Sequence, residues 1–371
     1  MKKTGPLHYL GSLFVLAVFA LAAWLLYGQW NDNHLTLAKV RNDLLQIRVG
    51  WIIAAVVLTV LNYGVLVCYD YLAFRFARVR ISLARVAFAA VTTYAFSYNF
   101  GATVAGVPLR YRLYSSWKIP LAKIVQLMVI LAFTFWFGVF ALSGTLFVCS
   151  PLRIPDEKLR SICTKMVTDW KLHESAVKWF AYLFSDSRPF GLVLLTLAAA
   201  YVGTSLLHRG SLKIFRWTLP VPPPRLTLYQ IGIASADMLV AASVFYVLCP
   251  PVQGGYRTVL EVYLVAYVLN VLSHVPGGWG VIEAVITLLL GLYDPAVNIP
   301  RVFAAIVVFR VVYFLLPLLV GAVLLGWHEY ALRRNWIPPL VPHHDPAGGE
   351  AHSMSVNGQP PRQGGKAPSK N

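Results

Sequence analysis

Four ionisable side chains lie inside segments that are otherwise apolar: Asp70, Asp237, Glu283 and Arg310. In the hydrocarbon of a bilayer a charged group is costly unless it is paired or hydrated. If these segments cross a membrane, the four residues therefore either pair with one another or bind the charged headgroup of a lipid. For Asp70, the alternatives are a cationic headgroup, the nearby Arg75, or an arginine of the next segment.

Glu283 and Arg310 each have a functional and a structural interpretation. Glu283 either contacts an ammonium group, carries a proton as a coupling group, or simply caps a helix, because a carboxylate suits the N-terminal end of the helix dipole. We expect Arg310 to pair with Glu283 or with Asp237 in the core of a helical bundle. Asp237 would then form part of the same polar cavity.

Residues 270–286 form the most unusual stretch, because apolar segments flank a centre that breaks helices. That centre holds His274, Pro276, Gly277, Gly278, Gly280 and Glu283. Proline removes a backbone donor and glycine gives up helical order cheaply, so one helix should end at Ser273 and His274 and another should begin near Trp279. Broken helices at membrane depth are a recurrent way to build a transport site. A Pro-Gly loop at the membrane surface is the alternative.

Residues 86–117 form a second interrupted stretch. Three residues that weaken helices lie in it: Gly101, Gly106 and Pro108. Basic residues on both flanks predict that both ends lie inside the cell, so we expect a re-entrant hairpin, with two ordinary spans as the alternative. Arg110 and Arg112 follow the glycines, and a guanidinium fork suits a lipid phosphate. Their alternative role is to set the topology.

The remaining polar residues of the two stretches have predominantly structural interpretations. We expect Asn99 to bridge exposed backbone groups of the first hairpin. His274 has a side chain that can titrate near neutral pH, but a hydrogen-bonded histidine in a turn is the alternative. The glycines of both stretches are expected to shape the backbone rather than to contact a ligand.

The composition defines the class of protein that these residues belong to. The chain has 371 residues, of which 58% are hydrophobic, a mean hydropathy of +0.63 and a net charge of +17. These values predict an all-α polytopic membrane protein. The basic residues lie between apolar segments, as positive-inside topology and anionic headgroups require. The sequence has no basic run interleaved with aromatic residues, the pattern that would indicate binding to nucleic acid.

The apolar runs predict about six full transmembrane helices and two broken hairpins. The expected full spans are residues 10–27, 51–74, 121–148, 189–208, 228–248 and 301–327. They divide the chain into residues 1–50, a first repeat at 51–148, a loop, span and linker at 149–227, a second repeat at 228–327, and a disordered cytoplasmic tail at 328–371. Each repeat consists of a span, a broken hairpin and a second span. The first repeat starts outside the membrane and the second starts inside, which predicts an inverted repeat.

Motifs of other chemistries are missing from the sequence. We find no phosphate-binding loop, no His-Glu-x-x-His metal motif and no Gly-x-Ser-x-Gly elbow, so no metal, cofactor or catalytic residue is predicted. An intramembrane lipid enzyme, which can lack such motifs, is an alternative. Cys149 and Cys163 would both face an oxidising compartment, and either a disulfide or free thiols fit that position.

Four stretches, in the same order, resemble motifs of the membrane region of the lysylphosphatidylglycerol flippase/synthase proteins. They are Tyr-Asp-Tyr-Leu-Ala-Phe-Arg at 69–75, Ser-Tyr-Asn-Phe-Gly at 97–101 with Gly-Val-Pro-Leu-Arg-Tyr-Arg-Leu-Tyr at 106–114, His-Val-Pro-Gly-Gly-Trp-Gly-Val-Ile-Glu at 274–283, and Arg-Val-Val-Tyr-Phe-Leu-Leu-Pro at 310–317. Phe74 and Phe314 depart from the family pattern without removing a charge. The resemblance covers roughly residues 10–327.

The resemblance implies a bacterial cytoplasmic-membrane protein, with both termini in the cytoplasm, that translocates a phospholipid such as lysyl-phosphatidylglycerol. Some members of that family carry, besides the membrane region, a soluble C-terminal domain that transfers lysine to phosphatidylglycerol. Only 44 residues follow Trp327 here, so we expect a stand-alone membrane protein without that activity. The alternatives are a non-transporting partner of a separate lipid synthase or glycosyltransferase, and a protein that handles polyprenyl lipids.

Overall fold

The computed structural model describes residues 37–150, 187–207, 211–214, 217–220 and 222–334, and the single residues 164, 168 and 175. Within these ranges the chain is a bundle of long apolar helices, as predicted. Six helical segments are long and apolar enough to cross a bilayer: Val49–Phe76, Leu121–Cys149, Arg188–Leu207, Pro224–Leu248, Pro276–Tyr293 and Ile299–Arg333. The protein is therefore an all-α polytopic membrane protein.

The first part of the described chain contains six α-helices and one π-helical turn. They are α1 (Leu37–Gln46), α2 (Val49–Phe76), α3 (Leu83–Phe100), the first π-helical turn (Ala102–Gly106), α4 (Val107–Ser116), α5 (Leu121–Cys149) and α6 (Arg188–Leu207). A two-stranded antiparallel hairpin follows, made of β1 (Ser211–Ile214) and β2 (Trp217–Pro220).

The second part of the described chain also contains a helix break between long helices. It contains α7 (Pro224–Leu248), α8 (Tyr256–Ser273), a 3₁₀ turn (Pro276–Gly278), α9 (Val281–Tyr293), α10 (Ile299–Phe309), a second π-helical segment (Arg310–Leu315) and α11 (Leu316–Arg333). The last three are continuous and form one long span, so that Pro317 lies just after the π-helical segment, where its missing N–H is accommodated.

Five of the predicted full spans agree with helices of the structure to within a few residues. The predicted span at 10–27 lies outside the described residues, as do Cys163 and most of the predicted tail. The sixth span of suitable length is Pro276–Tyr293, which was expected to be half of a re-entrant hairpin. The break lies where it was predicted, and α9 continues for 13 residues after it.

Both predicted helix breaks are confirmed by the backbone. Helix α3 ends at Phe100, and Gly101 follows with φ of 90°. Helix α8 ends at Ser273, His274 takes a left-handed conformation with φ of 54°, and Gly277 has φ of 65°. Only glycine adopts such positive φ values without appreciable cost, which explains why glycines recur in both stretches.

The elements around the two breaks correspond in order and partly in length. Helices α3 and α8, which lead into the breaks, both have 18 residues. The first spans of the two units, α2 and α7, pack along each other. Helix α3 packs against α11, and α8 packs against α5, so that each hairpin contacts the last span of the other unit. The opposite orientation of the units in the membrane stays a prediction.

The surface of the bundle is apolar where its helices face outward. Val57, Val60 and Leu61 of α2 are more than half exposed, and so are Leu319 and Val323 of α11. In water such a surface would be unfavourable, but it suits the hydrocarbon of a bilayer. Asn62 and Asp70 of α2 are buried instead, and both belong to the candidate site.

Candidate functional site

The first part of the site is a buried ion pair between Asp70 of α2 and Arg110 of α4. The Nη1 and Nη2 atoms of Arg110 both donate to the carboxylate, the second at 3.2 Å. The hydroxyl of Tyr114 donates to Asp70 Oδ1 at 3.0 Å and accepts from Arg110 Nη1 at 2.9 Å. Asp70 is 0% and Arg110 6% exposed. Asp70 thus pairs with an arginine of the hairpin, one of the alternatives that the sequence left open.

The local fold brings these groups together. Residues four apart on a helix share one face, so Arg110 and Tyr114 of α4 approach Asp70 side by side. Tyr94 of α3 covers the pair, since the guanidinium carbon lies 4.7 Å from its ring centroid, within the range of a cation–π interaction. Gly106 of the π-helical turn lets α4 return close to α3, because a side chain there would meet Ser97 Oγ at 2.0 Å.

The second part of the site is a buried ion pair between Glu283 of α9 and Arg310, the first residue of the second π-helical segment. Arg310 Nε and Nη2 both donate to the carboxylate, the latter at 2.9 Å. Glu283 also accepts the main-chain N–H of Gly280 at 2.9 Å. Glu283 therefore caps its helix and pairs with Arg310 at the same time, so the predicted cap and the predicted ion pair are both present.

Arg310 also closes the break in the second hairpin. Its Nη1 and Nη2 atoms donate to the carbonyl oxygens of Gly277 and Gly278 at 2.8 and 2.9 Å. These oxygens would otherwise be left without partners where the helix is interrupted, which is costly in lipid. The ring of Trp279 lies 4.4 Å from the guanidinium carbon and is 52% exposed, so it shields the pair from the surface.

The third part of the site joins the two first spans. Asn62 of α2 donates to the Asp237 carboxylate at 2.8 Å and to its carbonyl oxygen at 3.0 Å. Tyr313 donates to the side-chain oxygen of Asn62 at 2.7 Å. All three residues are buried. Asp237 therefore lies in a polar cluster, as expected, but pairs with an amide and not with Arg310.

The tips of the two hairpins touch each other. A Cβ atom added to Gly277 would lie 2.8 Å from the main-chain oxygen of Asn99. The side-chain amide of Asn99 donates to the carbonyls of Ala95 and Phe314 at 2.8 and 3.0 Å. Asn99 thus bridges backbone groups, but it joins α3 to the last span rather than serving its own hairpin alone.

Two residues of the predicted site lie apart from it. Arg112 was expected to share a phosphate with Arg110, but its side chain is 63% exposed and pairs with Glu329 of α11 at 2.7 Å. Residues two apart on a helix face different directions, which accounts for the separation. His274 is exposed, and its Nδ1 lies 2.9 Å from the carbonyl oxygen of Leu272, which is the hydrogen-bonded turn arrangement.

Sequence reasoning missed several side chains that complete the site. Tyr114 follows Arg110 by four residues, and this spacing was the available signal for its role. Asn62 was detectable as a lone amide in an apolar span. Tyr94, Tyr313 and Trp279 gave no signal of their own, because aromatic residues are common throughout these helices and only the packing shows which of them lie beside a charge.

This arrangement holds charged groups in the interior of the helical bundle. It contains two guanidinium groups, three carboxylates and the hydroxyls of Tyr114 and Tyr313. Within the described ranges, no cluster of three or more histidine, cysteine or acidic side chains is placed to hold a metal ion. The fold and site together define a polytopic helical membrane protein in which buried ion pairs stabilise two helix breaks.

Comparison with known proteins assigns the family. The Synechocystis sp. protein slr0712, described as uncharacterized, is 30% identical over 342 residues, which cover 90% of this chain and 95% of that protein. The chain therefore belongs to the same family as slr0712. No family model matches the chain.

Two other relatives are similar over less of the chain. The inner membrane protein YbhN of Escherichia coli is 28% identical over 274 residues, which cover 73% of this chain and 78% of that protein. A phosphatidylglycerol lysyltransferase of Staphylococcus haemolyticus is 28% identical over 101 residues, which cover 27% of this chain and 12% of that protein. The chain is thus a membrane protein related to YbhN and, in part, to phosphatidylglycerol lysyltransferase.

Proposed function

We propose that this protein translocates a phospholipid, anionic or aminoacylated, across a bacterial cytoplasmic membrane. The observation that carries the proposal is the pair of buried ion pairs, Asp70 with Arg110 and Glu283 with Arg310, each beside a helix break. The partial similarity to phosphatidylglycerol lysyltransferase supports a lipid as the cargo, and the similarity to YbhN supports the inner membrane as the location.

The charges of an aminoacylated headgroup complement those of an ion pair. Breaking a buried pair by removing one partner is strongly unfavourable, because it leaves an uncompensated charge. A headgroup that carries both a phosphate and an ammonium group offers a new partner to the arginine and to the carboxylate. Arg110 and Arg310 would take the phosphate, and Asp70 or Glu283 would take the ammonium group, while the acyl chains stay in lipid.

Both candidate cargoes can be tested with purified protein in liposomes that contain headgroup-labelled phosphatidylglycerol or its lysyl form. A membrane-impermeant quencher reports how much of the inner-leaflet label becomes accessible. We expect the wild type to expose this pool and the Arg110→Ala and Glu283→Gln variants to lose that activity. Arg80→Ala is the matched control, because Arg80 is exposed and lies outside the site.

The proposal fails if the wild type behaves like protein-free liposomes for both lipids. In that case the protein is better explained as a non-transporting partner of a separate lipid synthase. Co-purification from the native membrane would then be the next measurement. Formation of a new lipid species by the purified protein would instead identify an intramembrane enzyme.

A further inference from the structure

A buried carboxylate lies where the first spans of the two units pack against each other. Asp237 is the fourteenth residue of α7, and its partner Asn62 is the fourteenth residue of α2. The helices have 25 and 28 residues, so both side chains lie near the middle of their spans. Asp237 is 2% exposed and Asn62 is 0% exposed. This depth is the most expensive place for a bare charge.

Asp237 differs from the other buried carboxylates in having no charged or main-chain partner. Five carboxylates are buried among the described residues: Asp70, Asp237, Glu261, Glu283 and Asp294. Three of them pair with an arginine. Asp294 accepts main-chain N–H groups of Gln253 and Ala296 at 3.0 and 3.1 Å. Asp237 receives only the side-chain amide of Asn62.

The groups that face Asp237 from the elements packed around it are polar but uncharged. They are Asn62, Tyr63 and Tyr69 of α2, Tyr94 and Tyr98 of α3, Tyr263 and Tyr267 of α8, and Tyr313 of the second π-helical segment. Helix α5 meets α7 through Gly138 against Ala234. The buried charges on these elements, Asp70, Glu261 and Arg310, are held in their own ion pairs.

Two of these hydroxyls are poised to respond to the charge on Asp237. The hydroxyls of Tyr63 and Tyr69 are buried and have no hydrogen-bond partner of normal geometry, although Tyr69 lies beside the carboxylate. A hydroxyl can donate to a carboxylate and can accept from a carboxylic acid. The site can therefore accommodate Asp237 in both its charged and its neutral form, as a proton-exchange site requires.

We propose that Asp237 binds a proton and that its protonation is coupled to the opening of the two ion pairs. Few residues separate Asp237 from either ion pair. Tyr69, beside Asp237, directly precedes Asp70, and Tyr313, which donates to Asn62, lies one helical turn after Arg310. A proton removes the cost of a bare carboxylate at this depth, whereas its release restores a buried negative charge that is linked to the first ion pair through Tyr69 and to the second through Asn62 and Tyr313. The transport consequence rests on the proposed function, but proton binding does not.

The proton site itself can be tested without any transport measurement. Infrared difference spectra of the purified full-length protein, taken between acidic and alkaline buffer, report the carbonyl band of buried protonated carboxyl groups. We expect one such band to disappear completely in Asp237→Asn and to persist in the control Asp294→Asn. Asn62→Ala keeps the carboxyl group but removes its donor, so the band should shift. A band unchanged in both Asp237→Asn and Asn62→Ala would overturn the proposal.

A sodium ion is the competing occupant, and the same spectra distinguish it. If the band responds to sodium at constant pH and not to pH at constant sodium, the site binds a cation and the proton assignment is wrong. In liposomes, the coupling predicts that wild-type translocation depends on pH and that Asp237→Asn loses this dependence. A wild type without translocation would contradict the proposed function, and the infrared result would still decide the proton site.

Discussion

The main-chain oxygen of Asn99 lies 2.8 Å from the point where a Cβ atom on Gly277 would be. This contact joins the breaks of the two hairpins, which are 178 residues apart in the chain. Asn99 also reaches the last span, because its side-chain amide donates to the carbonyl oxygen of Phe314 in the second π-helical segment. Movement of one hairpin tip would therefore displace the other, so this contact would couple the conformations of the two units.

Gly277→Ala is expected to destabilise the protein. The residue has φ of 65°, and a side chain there would also press on Asn99, so the expected cost is roughly 2–5 kcal/mol. Gly232→Ala in α7 is the matched control, because no atom lies within 4 Å of its added Cβ and alanine favours helix by up to about 1 kcal/mol. Thermal unfolding in detergent measures both. Equal melting temperatures would contradict this account of the tip contact.

Loss of Arg310 should destabilise the protein more than loss of Glu283. Removing one partner of a buried pair costs roughly 3–5 kcal/mol, and Arg310→Met also leaves the carbonyls of Gly277 and Gly278 without a donor. Glu283→Gln retains a side chain that can still accept from Gly280. The double variant should cost less than the sum of the single ones. Denaturant titration of the three variants measures this order, and the reverse order would show that Arg310 does not hold the break.

The hydroxyl of Tyr114 should stabilise the first ion pair measurably. It bridges Asp70 and Arg110 in a buried site, where removal of one polar partner costs roughly 1–3 kcal/mol. We expect Tyr114→Phe to lower the free energy of unfolding by that amount. Tyr111→Phe, on the same helix but 49% exposed, should leave it unchanged. If both variants unfold like the wild type, the hydroxyl has no structural role in the pair.

The sequence was sufficient to predict the long spans of the described chain and the two helix breaks, but not the short helix α1 (Leu37–Gln46). Long apolar runs determine the spans, and the Pro-Gly pattern around Gly277 and the glycines after Phe100 determine the breaks, because both are local properties of the backbone. The predictions were least exact at helix ends, where α11 extends to Arg333 although the apolar run ends at Trp327.

The partners of the charged residues were not determined by the sequence. The choice of Arg110 rather than Arg75 for Asp70 depends on how α4 returns toward α2 after the π-helical turn, and no local pattern encodes that path. The separation of Arg110 from Arg112 follows from helical geometry and was available from spacing alone. Asp237 remained without an arginine because the second π-helical segment directs Arg310 toward the break and Tyr313 toward Asn62.

The ion pair between Arg112 and Glu329 should behave differently from the two buried pairs. It joins the first hairpin to the last span at 2.7 Å, but the two side chains are 63% and 30% exposed. Exposed pairs contribute about 0–1 kcal/mol and are screened by salt. We therefore expect a double-mutant cycle with Arg112→Ala and Glu329→Gln to give a coupling within that range at low salt.

The same cycle at high salt should give no measurable coupling, whereas the coupling of Arg310 with Glu283 should persist because that pair is buried. Unfolding in detergent at the two salt concentrations measures both cycles side by side. A salt-resistant coupling between Arg112 and Glu329 would mean that the surface of the protein excludes water around this pair. Arg112 would then be held as firmly as Arg110, and its predicted role toward a lipid phosphate would have to compete with a strong internal partner.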